Sequence, residues 1–164
     1  MRANTFSVRP LWAHFLILEA IMRVAFLEPR NNFELYLPKL EELILDLINT
    51  YGVDSFYFGE VTRFSLEVDR IVSRLMERLP FCDMTYVVAD KPDAPPENER
   101  RPHPKWIYLS ALSVFGKRDA AFARDVWLID NCDIVVLYPS IDQRAPLAFR
   151  EYVLEKGKTV VMAE

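Results

Sequence analysis

Glycine is scarce in this chain of 164 residues: it occurs four times, at positions 52, 59, 116 and 157. No GxGxxG and no GxxxxGK(S/T) run is present, so the dinucleotide fingerprint and the P-loop are both excluded. Histidine is scarcer still. His14 and His103 lie far from Cys82 and Cys132 in sequence, and no metal-ligand spacing results. Two cysteines are too few for a disulfide scaffold and form no CxxC pair. They read as small core residues in a reducing, cytoplasmic setting. An excess of positive charge is also missing. The net charge is −4 and the pI about 5.3, so no global basic field draws the chain to nucleic acid or an anionic membrane. Nor is there a run long enough to span a bilayer. The apolar stretch LWAHFLILEAIM, Leu11–Met22, is too short and contains His14 and Glu19. No small-x-small cleavage site follows it.

Apolar residues make up 51% of the chain and charged ones 27%, the composition of one globular domain. Strand-like runs occur at Met22–Leu27, Ser55–Phe58, Met84–Ala89, Asp133–Tyr138 and Lys158–Ala163. Helical spacing falls between them. Leu40, Leu43, Ile44, Leu47 and Ile48 share one face of a helix that Pro38 opens and Gly52 stops. Val61, Phe64, Val68, Ile71, Val72, Leu75 and Leu79 mark the next, which starts directly after Gly59 and ends at Pro80. A third helix is predicted over about Arg118–Asn131, burying Phe122, Val126 and Ile129, and a fourth over Pro146–Lys156. Asp90–Pro104 holds five prolines and reads as a long loop; Trp106–Leu109 after it is either a short strand or a docking segment.

Strands alternating with helices, each strand a continuous apolar run, predict a Rossmann-like three-layer α/β sandwich around a five-stranded, mostly parallel sheet. The domain spans residues 22–164. Residues 1–21 form an N-terminal extension, either an extra helix after Pro10 or the product of a mis-assigned start. Two strand orders are open. In 3-2-1-4-5 the strands after Cys82 and Cys132 are far apart and cannot be bridged; in 2-1-3-4-5 they are neighbours.

The junction SFYFGEVTRF raises the question of a phosphate cradle at Gly59. A cradle needs backbone N–H groups and a helix N-terminus aimed at the anion. Gly59 fits that need or merely permits a strand-to-helix turn. Glu60 argues for the turn, since a carboxylate in the first turn would repel a phosphate. Thr62 either donates to a ligand or caps the helix, as does Ser65. Arg63 reaches an anion or lies on an exposed helix face. Arg30, just past the first strand, stands where open α/β sheets bind ligands and can grip a phosphate or carboxylate bidentately; a surface salt bridge is the alternative. Arg124 projects toward the same crevice or pairs with Asp119, Asp125 or Asp130. Ser140, in the loop after the strand Asp133–Tyr138, is a ligand-binding candidate at the same crevice, though no histidine lies near it in sequence. No Ser-His-Asp arrangement and no two-carboxylate site can be assembled, so no catalytic residue, metal or cofactor is expected.

The stretches LPKLEELILDLINTYGVDSFYFG, RDVWLIDNCDIVVLY and EKGKTVV, with the aromatic-containing helix after Gly59, resemble the YpsA-like branch of the SLOG superfamily over residues 22–164. The resemblance implies a Rossmann-like fold and a nucleotide-derived ligand. Some relatives cleave a nucleotide's glycosidic bond, and others are sensors or binding proteins. The family's Gly-His-Arg-like turn is Glu28-Pro29-Arg30 here. Its second glycine and its aspartate after the second strand are Thr62 and Ser65, and its Gly-Gly pair after the fourth strand is missing from the loop of residues 140–146. Arg124 and Trp127 match its Arg-x-x-Trp pattern. The PGGxGTxxE run of the glycosidic-bond-cleaving relatives is absent. Three functions follow as expectations. The first is a non-catalytic protein with a vestigial or altered nucleotide-ligand site. The second is a protein-interaction or self-association module, which leaves a homo-oligomer open. The third is a nucleotide-processing hydrolase.

Overall fold

The computed structural model describes residues 21–29, 32–77, 82–89, 104–138 and 144–163. Among the described residues six strands and four α-helices follow one another, with short 3-10 turns at Phe33–Leu35 and Ser110–Val114: β1 (Arg23–Leu27), α1 (Leu37–Tyr51), β2 (Ser55–Phe58), α2 (Arg63–Met76), β3 (Asp83–Val88), β4 (Lys105–Tyr108), α3 (Lys117–Asn131), β5 (Ile134–Leu137), α4 (Arg144–Glu155) and β6 (Thr159–Met162). The strands form one parallel sheet in the order β4-β3-β2-β1-β5-β6. That is a Rossmann-like α/β sandwich with helices on both faces. It is the 3-2-1-4-5 order with one strand more than the five expected, because KWIY pairs along the outer edge of β3.

Local chemistry explains the elements. Pro38 stands in the first turn of α1, where a missing N–H costs nothing. The helix buries Leu40, Ile44, Leu47 and Ile48 on one stripe. It ends at Gly52, whose φ of 70° is the left-handed conformation that glycine adopts without strain. The helix after Gly59 starts later than its periodicity predicts. Thr62 is its N-cap, and Val61 lies before the cap and is exposed. Periodicity reports which side chains face inward, whereas the cap reports where the backbone turns helical.

The core divides between the two faces of the sheet. On one face α1 and α2 pack over Val24, Phe26, Phe56, Phe58 and Val136. On the other, Leu128, Ile129 and Val153 pack over Ala25, Leu27, Val135 and Leu137. An aromatic row crosses the first face. Trp106 stacks on Tyr86 (5.0 Å), Tyr86 meets Phe58 (5.7 Å), Phe58 stacks on Phe26 (5.3 Å) and Phe26 meets Phe64 (6.2 Å). Phe64 then touches Tyr138 edge-on at 5.2 Å, and Tyr36 closes the row against Tyr138 at 4.7 Å. Such contacts add to the area each ring removes from water and fix ring orientation.

The expected burial of Phe122 is not seen. It is 57% exposed and stacks on Phe149 at 5.6 Å, while Ile129 is fully buried. Only the C-terminal half of α3 presses on the sheet. Cys82 and Cys132 are both buried and free. They precede β3 and β5, which β2 and β1 separate. Three interstrand spacings amount to about 14 Å, twice the span a disulfide bridges. No helix among the described residues is long and apolar enough to cross a membrane.

Candidate functional site

In an open parallel sheet the ligand crevice lies past the carboxyl ends of the strands, where neighbouring connections diverge. Here that point is β1, between β2 and β5. Leu27 pairs with Leu137 and Phe26 with Phe58. The next residues along these strands are Glu28, Gly59 and Tyr138.

Gly59 is in place for a reason the sequence does not show. A Cβ there would come within 2.4 Å of Arg124 Nε and 2.6 Å of its Cζ. The guanidinium therefore lies directly on the glycine, and φ is not in the left-handed region. Arg124 reaches this position from α3, on the opposite face from α2. Its Nη1 donates to Glu60 Oε1 at 2.7 Å and its Nη2 to Asp125 Oδ1 at 3.2 Å. The side chain is only 14% exposed. The space over the glycine, where a cradled phosphate would sit, is filled by the protein's own cation.

Thr62 and Ser65 close the start of α2. The Thr62 Oγ1 accepts the Ser65 N–H at 3.1 Å, and the Ser65 Oγ accepts the Thr62 N–H at 2.8 Å. The Ser65 hydroxyl donates to the Glu60 carbonyl at 2.9 Å. This is a reciprocal capping box with serine in the role usually taken by glutamate. Because Thr62 Oγ1 accepts from Ser65, its own hydrogen goes elsewhere. It donates to Glu28 Oε2 at 2.5 Å.

Glu28 is the most perturbed carboxyl of the crevice. Burial pushes its pKa up to about 7, against the Thr62 hydrogen bond and the Arg124 charge, which lower it; Glu60 and Asp125 raise it further. Its Oε1 is buried and makes no hydrogen bond among the described residues. Tyr138 is 4% exposed, and its hydroxyl likewise has no partner there. Burial, with the nearby Glu28 charge, holds that phenol well above its usual range. Arg124 Nε is a third buried polar atom without a partner among the described residues. Tyr138 also lines a hollow of about 310 Å³ that α1 walls with Leu40 and Leu43 and with the charged Lys39, Glu42 and Asp46.

The structure thus brings Gly59, Thr62 and Arg124 together. It leaves Arg63 outside, exposed on α2 with its guanidinium 5.5 Å from the Phe33 ring centroid. Arg30 and Ser140 lie outside the described residues, as do His14, His103 and the Pro-rich loop up to residue 103. Glu28 and Tyr138 were not singled out from sequence. A signal for Glu28 existed: an acidic residue directly abutting an apolar strand, followed by proline. Compared with models of protein families, with curated proteins and with solved structures, the chain matches none. Among the described residues no group of three His, Cys, Asp or Glu side chains is placed to hold a metal ion.

Proposed function

We propose that this chain is a Rossmann-like binding protein of the YpsA-like group, which takes a nucleotide-derived small molecule without reacting with it. The ligand occupies the crevice past β1, β2 and β5. The observation that carries this reading is the convergence of three buried polar atoms without partners: Glu28 Oε1, Arg124 Nε and Tyr138 Oη. Buried polar atoms are almost always paired, and a ligand supplies the missing partners. The sequence resemblance supplies the ligand class. A thermal-shift panel of nucleosides and nucleotides tests it. Ligand at a hundredfold excess over Kd raises stability by about 2.7 kcal/mol. A panel in which no compound moves the melting temperature defeats the proposal.

One observation favours the hydrolase reading instead. A carboxyl titrating near 7 is tuned for general acid or base work at neutral pH. Release of free base or phosphate from nucleoside monophosphates, lost in Glu28→Gln, would decide for it. Exposed Val114, Phe115, Phe122 and Leu147 favour self-association. A protein that elutes as a dimer, and as a monomer with Phe122→Lys, would support that reading.

A further inference from the structure

The crevice described above raises a sharper question, namely which part of a nucleotide it reads. Among the described residues it holds three carboxylates, Glu28, Glu60 and Asp125, against one guanidinium, Arg124. Two of the carboxylates already pair with that guanidinium. An incoming phosphate meets net negative charge and finds the position over Gly59 filled.

Glu28 offers the opposite chemistry. A carboxylate has about four lone-pair sites, and Thr62 uses one of them. Oε1 is free among the described residues and cannot reach water. Its neighbour across the β1–β5 register, Tyr138, presents a hydroxyl that both donates and accepts. That hydroxyl is held in place by a ring wedged between Phe64 and Tyr36. The hollow beside the Tyr138 ring has an aromatic and aliphatic wall of Tyr36, Leu40, Leu43 and Met162 and a charged rim of Lys39, Glu42 and Asp46; Glu28 lies outside its lining. At about 310 Å³ the hollow stands at the small end of ligand pockets.

We infer that this crevice recognises a nucleobase edge rich in N–H donors, guanine being the fitting case, through Glu28 and Tyr138, and does not recognise phosphate. The inference rests on the binding reading above and deepens it. Guanine presents two adjacent N–H donors, N1–H and the 2-amino group, which a carboxylate accepts side by side. Charge-assisted bonds of this kind are the strong ones. The bound base favours ionised Glu28, so binding expels a proton wherever the free carboxyl carries one. The groups that bias this proton from each packed element are Thr62 on α2, Glu60 before it, Arg124 and Asp125 on α3, and Tyr138 after β5.

The experiment is isothermal titration calorimetry of the full chain with guanosine, guanosine 5′-monophosphate, inosine and inorganic phosphate. Each is run at pH 6 and pH 8, in two buffers of different ionisation enthalpy. With Glu28 near 7, guanosine is expected to bind about tenfold more weakly at pH 6 than at pH 8, releasing close to one proton at pH 6 and almost none at pH 8. Inosine, which lacks the 2-amino donor, binds more weakly than guanosine. Inorganic phosphate does not bind, and the monophosphate gains nothing over the nucleoside. Glu28→Gln removes the pH dependence and most of the affinity; if that variant does not fold, proton release by the wild type decides. Binding of the monophosphate but not the nucleoside overturns the inference and leaves the binding reading standing. So does guanosine binding without pH dependence. No binding by any of the four, together with a silent nucleotide panel, removes both.

Discussion

Replacing Glu28 by glutamine probes the crevice in the absence of any ligand. The unfolded chain releases the Glu28 proton near 4.5, and the folded chain holds it to about 7. Below 4.5 both states carry the proton and the group is indifferent to folding. Between 4.5 and 7 the folded state binds more protons, so stability falls as pH rises. Above 7 both states are ionised and the whole penalty is in force. A difference of about 2.5 pH units corresponds to about 3 kcal/mol. For a domain of this length that is a melting-temperature change of roughly 6–12 °C. Glutamine keeps an oxygen for the Thr62 hydroxyl and never ionises. Its amide costs something at every pH, and that constant cancels in the comparison. Urea unfolding of both proteins from pH 4 to pH 9 is the assay. The variant should gain about 3 kcal/mol on the wild type between the two ends, with most of the change between pH 5 and 7. Parallel curves would show Glu28 titrating like an exposed glutamate, and the reasoning about its burial would fail.

Other perturbations address the same architecture. Gly59→Ala places a Cβ within 2.4 Å of the Arg124 guanidinium and should cost about 1–2 kcal/mol by overpacking. In an Arg124→Ala background the same change should cost nothing, because the backbone there tolerates alanine; thermal melts of the four proteins measure this coupling. Thr62→Val removes the N-cap and the donor to Glu28. It should destabilise by about 1 kcal/mol and move the Glu28 transition above pH 7, read in the same pH series. Burial pushes the thiols of Cys82 and Cys132 up to about 11 and about 12. Both should resist iodoacetamide at pH 8 in the native protein and react only on unfolding; rapid alkylation of either one would contradict its burial.

The fold was largely legible in the sequence because its signals are local. Continuous apolar runs mark buried parallel strands, and Leu40, Ile44, Leu47 and Ile48 mark one inward face. The sixth strand was harder to read. KWIY is a short, half-buried edge strand, so neither alternation nor full burial betrays it. The crevice was legible in part. Thr62 and Ser65 were open between ligand donors and a helix cap, and they form the cap; Glu60, expected in the first helical turn, stands two residues before the cap and pairs with Arg124. The position of Arg124 over Gly59 was not legible, because it depends on two elements 64 residues apart meeting above the sheet. Glu28 escaped for a similar reason. Its burial is set by α2, α3 and β5 together, and a residue in a loop gives no periodicity from which burial can be inferred.

The place of β1 in the sheet also governs how the chain is assembled. On one side β1 pairs with β2, the next strand to be made. On the other it waits for β5, and the Arg23 amide finds the Asp133 carboxylate 110 residues later. At ordinary synthesis rates that interval lasts roughly 5–20 s. In its last stretch, once β4 is made at Tyr108 and before β5 begins at Ile134, a half-sheet of β1 to β4 has the strand RVAFL as its open edge. Such an edge templates pairing with any other extended chain. The strand that ends up best protected in the native protein is therefore the one most exposed during biosynthesis. Nascent chains stalled before residue 134 should be the ones that engage chaperones or aggregate.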